Sequence, residues 1–334
     1  MSLGYHLIST VYKLHIRPAF VVNLYAYMRN RLGFWDAETT TLYTRIVSQK
    51  SGYMGLYYGI EYLWKVNGLD KLLEYLIDRN FDYLAACKRA EVYALLASIY
   101  FDKDQETSKM FYQKSSQIDG EIPNNYLQLR SYSEKETAEC KKILSRIHPL
   151  MKNMSSIITR LSDVSVVGNS DCETSKKQGE MIDSSSVVIR FNRYSTEDRY
   201  AEDYGTKCNI WVVNPAILAE LSEVDSTANV LILSSTLIYG LRTDMWKALP
   251  SYMDRYEIFY FEESLYQKLV ARLKAPPSAG ILLLSAIYDV KGSLNHLQTF
   301  GFSHSVAHYF DRKKSRFSRH NWVGEQSILE EYLA

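Results

Sequence analysis

The spacing of apolar positions changes once along this chain. Over residues 41 to 150, Tyr and Leu recur at steps of three and four, the period of a helix that buries one face. From about residue 152 onward, short apolar runs alternate with helical stretches: Val164–Val167, Val187–Phe191, Ile210–Val213, Val230–Leu233, 257–261 and Leu297–Phe300. Runs of this length, rich in β-branched residues and bounded by turn residues, are expected as buried strands. Their alternation with helices predicts an α/β fold, a doubly wound and mostly parallel sheet of Rossmann-like type. The chain therefore divides into an all-α domain over residues 1–150 and an α/β domain over residues 151–334.

Within the helical half, residues 91–100, a short polar loop and residues 108–115 resemble one tetratricopeptide helix pair, with the small and aromatic positions of the second helix one place early. Residues 57–76, broken at Asn67-Gly68, suggest a second pair. A helical-repeat array is expected, and a plain helical bundle would give similar spacing. Asp102-Lys103-Asp104 has the form of the D-x-D metal motif, but it lies in a helix–helix loop and not after a strand, so it reads as turn charge. Residues 1–35 mix Lys13, Arg17, Arg29 and Arg31 with Tyr12, Phe20, Tyr25, Tyr27 and Phe34. A basic, aromatic helix of this kind packs on its own domain or rests on an anionic membrane surface.

Composition narrows the picture. Among 334 residues the net charge is +1, which gives no global field for nucleic acid, and 46% apolar residues suffice for two packed cores. The chain start lacks the compact apolar segment of a signal peptide, and no stretch reaches the ~20 apolar residues of a membrane span, so a cytoplasmic location is expected. Cys87, Cys140, Cys172 and Cys208 lie far apart with no C-x-x-C pair, which predicts free thiols and no zinc site. No G-x-G-x-x-G and no P-loop lysine follows any strand, which disfavours dinucleotide oxidoreductases and Walker-type ATPases.

Candidate chemistry gathers in the α/β half. Two strands end in asparagine, at Asn169 and Asn192. Strand carboxyl ends face the ligand crevice of a parallel sheet, and an amide offers both donor and acceptor to a nucleotide base or ribose; each is equally a turn residue. Ser278-Ala279-Gly280 opens the apolar helix of residues 281–288, so a hydroxyl and backbone N–H groups meet at a helix N-terminus, an anion site or an empty N-cap. Four of the seven histidines lie between residues 296 and 320, and His308 and His320 flank the basic run Arg312, Lys313, Lys314, Arg316 and Arg319. Histidine titrates near neutral pH, so it can take a proton from a hydroxyl or donate one to a phosphate.

In this order the pieces resemble the animal-type sialyltransferases, glycosyltransferase family 29. The family's large block resembles Val166 to Ser170 with Ile182-Asp183, Val188 to Asn192 and Asp203 to Lys207. Its small block resembles Pro277 to Gly280 with the exit Phe300-Gly301-Phe302. The third block resembles His308-Tyr309-Phe310-Asp311, and the very small block the H-x-x-x-x-E spacing of His320 to Glu325. The resemblance covers about residues 160 to 330. It implies an enzyme of the single-domain glycosyltransferase type that transfers sialic acid from cytidine monophosphate (CMP)-sialic acid to a sugar hydroxyl, inverting the anomeric carbon. No metal and no cofactor are expected, and the partners are a CMP-activated acidic sugar and a glycan acceptor. It further implies that Asn169 and Asn192 hold the CMP part, that Ser278 and Gly280 line the donor's carboxylate and phosphate, that His308 neutralises the departing phosphate, and that His320 is the base on the acceptor.

Two departures stand out. The small block has no cysteine for the disulfide that joins it to the large block in animal enzymes, which suits a bacterial, cytoplasmic enzyme with peripheral contact on the inner membrane face. Ala279 stands where the family usually has a hydroxyl residue. The expected acceptor is lipopolysaccharide or capsule glycan. Three alternatives stay open: a transferase of Kdo, the eight-carbon ulosonic acid, from CMP-Kdo; an enzyme using another nucleotide sugar; and a non-catalytic helical-repeat scaffold with a degenerate transferase domain.

Overall fold

The structure, a computed structural model, describes residues 2–13, 18–76, 79–101, 103–133, 145, 152–220, 227–234, 252–303, 308–310 and 319–334. The chain forms two compact units, residues 1–142 with 270–276, and residues 143–269 with 277–334.

The first unit is helical: α1 (Ser2–Lys13), α2 (Ala19–Arg31), α3 (Ala37–Ser48), α4 (Tyr53–Asn67), α5 (Leu69–Leu76), α6 (Ala86–Tyr100) and α7 (Gln105–Ile118). Each boundary has a local cause. Pro18 precedes α2, Asp36 caps α3 by accepting from Thr39 N–H, and Gly68 at φ +79° separates α4 from α5. Asp104 caps α7 by accepting from the N–H groups of Glu106 and Thr107, which gives half of the D-x-D sequence a helix-capping duty. Asp102 lies outside the described residues. Residues 92–100 of α6 are buried on every side, as for the central helix of a bundle. The hydroxyls of Ser108 and Ser115 on α7 donate to the α6 carbonyls of Ala97 and Ala90, and the small alanines let the two helices approach.

The basic stretch over residues 1–35 is two helices and not one. Arg29 is buried and pairs with Asp36 at 2.5 Å and Glu38 at 2.9 Å, and Tyr25 is buried beside it. Neither side chain is therefore available to a membrane surface, and Arg17 lies outside the described residues. No helix among the described residues is long and apolar enough to cross a membrane.

The second unit is a seven-stranded sheet with every pairing parallel. Its strands are β1 (Lys152–Asn153), β2 (Val164–Val167), β3 (Val187–Phe191), β4 (Ile210–Val213), β5 (Val230–Leu233), β6 (Glu257–Tyr260) and β7 (Leu297–Phe300). The strands fall where the patterning put them, except that β6 is a residue shorter and the edge strand β1 carries no readable pattern. Strands β2 and β4 are buried along their whole length, as a sheet covered on both faces requires. The connecting helices include α8 (Ser155–Ile158), α9 (Gly179–Ser184), α10 (Asp198–Tyr204), α11 (Pro215–Glu220), α12 (Glu263–Leu273), α13 (Ala279–Lys291) and α14 (Trp322–Leu333). Cys87, Cys172 and Cys208 are free thiols, and Cys140 lies outside the described residues.

The strand order β1-β6-β5-β4-β3-β2-β7 places the switch point. Strands β2 to β6 are laid down in sequence toward one edge, and β7 then returns to the far side of β2. The chain leaves β2 toward β3 and reaches β7 only after β6, so the strand order reverses between β2 and β7, and the crevice opens over their carboxyl ends. Those ends close on each other through glycine. Gly168 N–H donates to Phe300 O at 2.7 Å, and Ser170 N–H donates to Gly301 O at 3.1 Å. A Cβ on Gly168 would come within 2.4 Å of Gly301 O, and one on Gly301, at φ +67°, within 2.4 Å of Gly168 O.

Candidate active site

A cavity of about 410 Å³ opens at this switch point, and Asn169, Asn192, Ser278, Gly280, His308 and His320 all line it. The structure thus brings together every site residue singled out from the sequence.

The two amides are anchored by opposite ends. Asn169 Nδ2 donates to the carbonyls of Phe191 at 2.9 Å and Arg193 at 3.0 Å, which leaves Oδ1 without a partner among the described residues. Asn192 sits in the left-handed region at φ +49°, where asparagine is tolerated, and its Oδ1 accepts from Asn214 N–H at 2.9 Å. Its Nδ2 has no partner among the described residues. The pair therefore offers one acceptor and one donor to a ligand. The turn-residue reading holds as well, since each amide also fixes a strand exit.

His308 owes its place to the residue that follows it. Tyr309 is buried and stacks on Tyr204 at 3.9 Å, within a cluster that includes Val167, Ile182, Val188 and Phe300. Its N–H donates to Asn169 O at 3.1 Å, its hydroxyl donates to Ser195 O at 2.8 Å, and His308 forms an isolated bridge with Ser170. The Tyr204 loop is itself pinned: Arg190, fully buried, donates to the carbonyls of Tyr204 and Lys207, while Asp183 accepts from the N–H groups of Thr206 and Lys207. The large and third blocks thus share one core, and the exposed His308 ring is carried on it.

His320 stands just ahead of α14. Asn321 caps that helix through Gly324 N–H at 3.0 Å, and the His320 ring lies 5.1 Å from the Trp322 ring. Asp311 and the basic residues Arg312, Lys313, Lys314 and Arg316 lie outside the described residues, whereas Arg319 lines the cavity.

The start of α13 differs from the open anion site that its sequence suggests. Ser278 caps the helix by accepting from Ile281 N–H, but its own N–H and hydroxyl donate to the two carboxylate oxygens of Glu325, at 2.8 and 2.6 Å. Glu325 is buried, and burial pushes its carboxyl up to about 7, against the Ser278 hydrogen bonds that pull it down. The N–H groups of Ala279 and Gly280 have no partner among the described residues. They are the first-turn donors left to an anion. Gly280 also makes room for the ring of Phe302, which a Cβ would approach to 2.7 Å.

Residues assigned no site role from the sequence complete the wall. Trp322, Glu325, Gln326 and Leu329 line the cavity from α14 at steps of three and four, a one-face signal readable in the sequence once that helix is assigned. Phe302, which meets Phe191 edge to face, closes the opposite side. No group of three or more His, Cys, Asp or Glu able to hold a metal ion occurs among the described residues.

The solved structures that resemble this chain include two of mammalian sialyltransferases. A mammalian sialyltransferase has 18% sequence identity over 61% of this chain and 79% of its own, with a TM-score of 0.43. A mammalian sialyltransferase in complex with Gal-beta-1-3GalNAc-ortho-nitrophenol has 17% identity over the same shares, with a TM-score of 0.40. The family model described as glycosyltransferase family 29 (sialyltransferase) matches residues 105–333. That match begins at the first residue of α7, well ahead of residue 160 where the quoted blocks begin, so the family's reach takes in part of the helical half. It spans more than half of the chain, and this protein belongs to glycosyltransferase family 29, the sialyltransferases.

Proposed function

We propose that the cleft binds CMP-sialic acid and transfers the sugar to a hydroxyl of a surface glycan, lipopolysaccharide or capsule, in one inverting displacement. The observation that carries this reading is the convergence of two histidines, two oppositely anchored amides and a helix N-terminus on one cavity. Asn169 Oδ1 and Asn192 Nδ2 meet the CMP part as acceptor and donor. The Ala279 and Gly280 N–H groups, at the positive end of α13, share the donor's negative charge with His308, while Ser278 and Glu325 hold that turn in place. His320 takes the proton of the acceptor hydroxyl as its oxygen bonds to the anomeric carbon, and the bond from that carbon to the phosphate oxygen breaks to release CMP.

No metal or cofactor enters this reading, because His308 and helix-end N–H groups can neutralise a monophosphate leaving group. As a family 29 glycosyltransferase the chain is an enzyme, which sets aside the scaffold alternative. Kdo shares the carboxylate beside its anomeric carbon, and Ala279 removes a hydroxyl contact on the donor side, so CMP-Kdo remains the competing donor. A cytoplasmic site of action with peripheral membrane contact belongs to the same reading, now through the exposed Lys13, Phe20, Arg31 and Phe34.

A thermal-shift panel of nucleotides tests it. CMP at 100 times its dissociation constant should stabilise by ~2.7 kcal/mol, and uridine or guanosine diphosphate should not stabilise. Preference for a diphosphate would overturn the reading, and turnover of CMP-sialic acid against CMP-Kdo then decides the donor.

A further inference from the structure

A second cavity, of about 480 Å³, lies wholly within the helical unit. Arg79 and Asp82 line it from the turn ahead of α6, Arg89 and Tyr93 from α6, and Lys114 and Gln117 from the last turns of α7. Asp82 is the acid among the described residues of the wall, so three cations face one carboxylate and the cavity is net positive.

The cations are incompletely used. Arg79 donates one terminal nitrogen to Val47 O at 3.0 Å, and Arg89 pairs through one terminal nitrogen with Asp82. The Nε atoms of both are buried and have no hydrogen-bond partner among the described residues. Lys114 rests its ammonium 5.7 Å from the ring centres of Tyr93 and Phe111, with no carboxylate beside it among the described residues. Each guanidinium keeps a second terminal nitrogen that takes no bond among the described residues, and these nitrogens with the Lys114 ammonium give one wall the donors of an oxyanion receptor. Gln117, exposed on the rim, and Asp82 add amide and carboxylate groups of the kind that bind sugar hydroxyls. A polymer backbone needs an extended basic track, whereas the three cations of this open hollow gather around a space the size of one or two sugar rings.

We propose that this hollow, whose lining shares no residue with the transfer cleft, is a binding site for a phosphate- or carboxylate-bearing saccharide. Calorimetric titration of the full chain with glucose 6-phosphate, in the presence of saturating CMP, tests it, with glucose and inorganic phosphate as controls. Saturable binding of glucose 6-phosphate, weaker binding of phosphate and none of glucose are expected. Arg89→Gln and Lys114→Gln should each weaken glucose 6-phosphate binding tenfold or more and leave CMP binding unchanged. Lys114→Gln breaks no ion pair, so it remains informative where Arg89→Gln destabilises the fold. Undiminished binding in a folded Lys114→Gln variant, phosphate binding as tight as the sugar phosphate, or no saturable binding to the wild type would overturn the proposal. Failure of the wild type to bind CMP would count against the nucleotide reading alone, since the glucose 6-phosphate result decides this site by itself.

Discussion

Glu325 on α14 takes both hydrogens that Ser278 offers at the start of α13, the N–H at 2.8 Å and the hydroxyl at 2.6 Å. This contact ties the family's small block to its very small block. With its hydroxyl hydrogen committed and its oxygen accepting from Ile281 N–H, Ser278 is left to hold the helix turn, and under the proposed function the Ala279 and Gly280 N–H groups are the ones that would meet an anion.

The first prediction follows from the acidity of Glu325, raised from 4.5 to about 7 by burial. Between those values the folded protein keeps a proton that the unfolded chain has lost. Stability therefore falls as pH rises through that window, by up to ~3 kcal/mol, and is level above it. Glu325→Gln, isosteric with the protonated acid, removes this contribution. Urea unfolding at pH 4.5 and at pH 8 should show the stability difference moving in the variant's favour by up to that ~3 kcal/mol. A difference that stays constant would refute it.

Asn192 separates fold from ligand contact. Asn192→Asp keeps an oxygen for Asn214 N–H and a residue that tolerates φ +49°, but loses the Nδ2 donor. Unfolding should be nearly unchanged, while CMP binding weakens by ~1–1.5 kcal/mol, about tenfold. Asn192→Ala should lose stability too, because alanine strains at that φ. Undiminished CMP affinity in Asn192→Asp would take the amide out of the site.

Gly301→Ala tests the closure of β2 against β7. Its Cβ would lie 2.4 Å from Gly168 O, a backbone atom that cannot rotate away, at a φ of +67°. The cost should exceed ~2 kcal/mol, with CMP binding lost in parallel as the two strand ends part. Denaturant unfolding and calorimetry on the same sample check both halves.

Much of this was legible before any coordinates. Strands β2 and β3 announce themselves because each is a β-branched run stopped by a turn residue, and both terminal asparagines reach the cleft. The strand order was not legible, since period-2 runs say nothing of which neighbour β7 joins. The burial of Arg29 was not legible, because its partners, Asp36 and Glu38, arrive only once the chain turns between α2 and α3. Glu325 was visible as the end of an H-x-x-x-x-E spacing, but its burial depends on α13 packing against α14. There Tyr288 stacks on Tyr332 at 4.1 Å, and the Tyr332 hydroxyl meets Ser285. Contacts between elements distant in sequence carry no local pattern.

The last prediction separates the two histidines. His308 presents an exposed ring on a backbone fixed by the Ser170 bridge and by buried Tyr309, so His308→Ala should leave the fold intact. His320, half-buried beside Trp322, precedes a helix capped independently by Asn321, so His320→Ala should also fold. In the proposed mechanism His320 has no duty until the acceptor hydroxyl attacks. Its removal should lower turnover by ~10²–10⁴ and leave CMP binding unchanged. Removal of His308, which the same proposal assigns to the phosphate, should lower both turnover and CMP affinity. The leaving group decides between them. A donor whose leaving group departs more readily needs less help from His308 and should partly rescue His308→Ala, but it still needs a deprotonated acceptor and should not rescue His320→Ala. Near-normal turnover in a folded His320→Ala protein would move the base to another group in the cleft, with Glu325 the buried carboxylate nearest to hand in the wall.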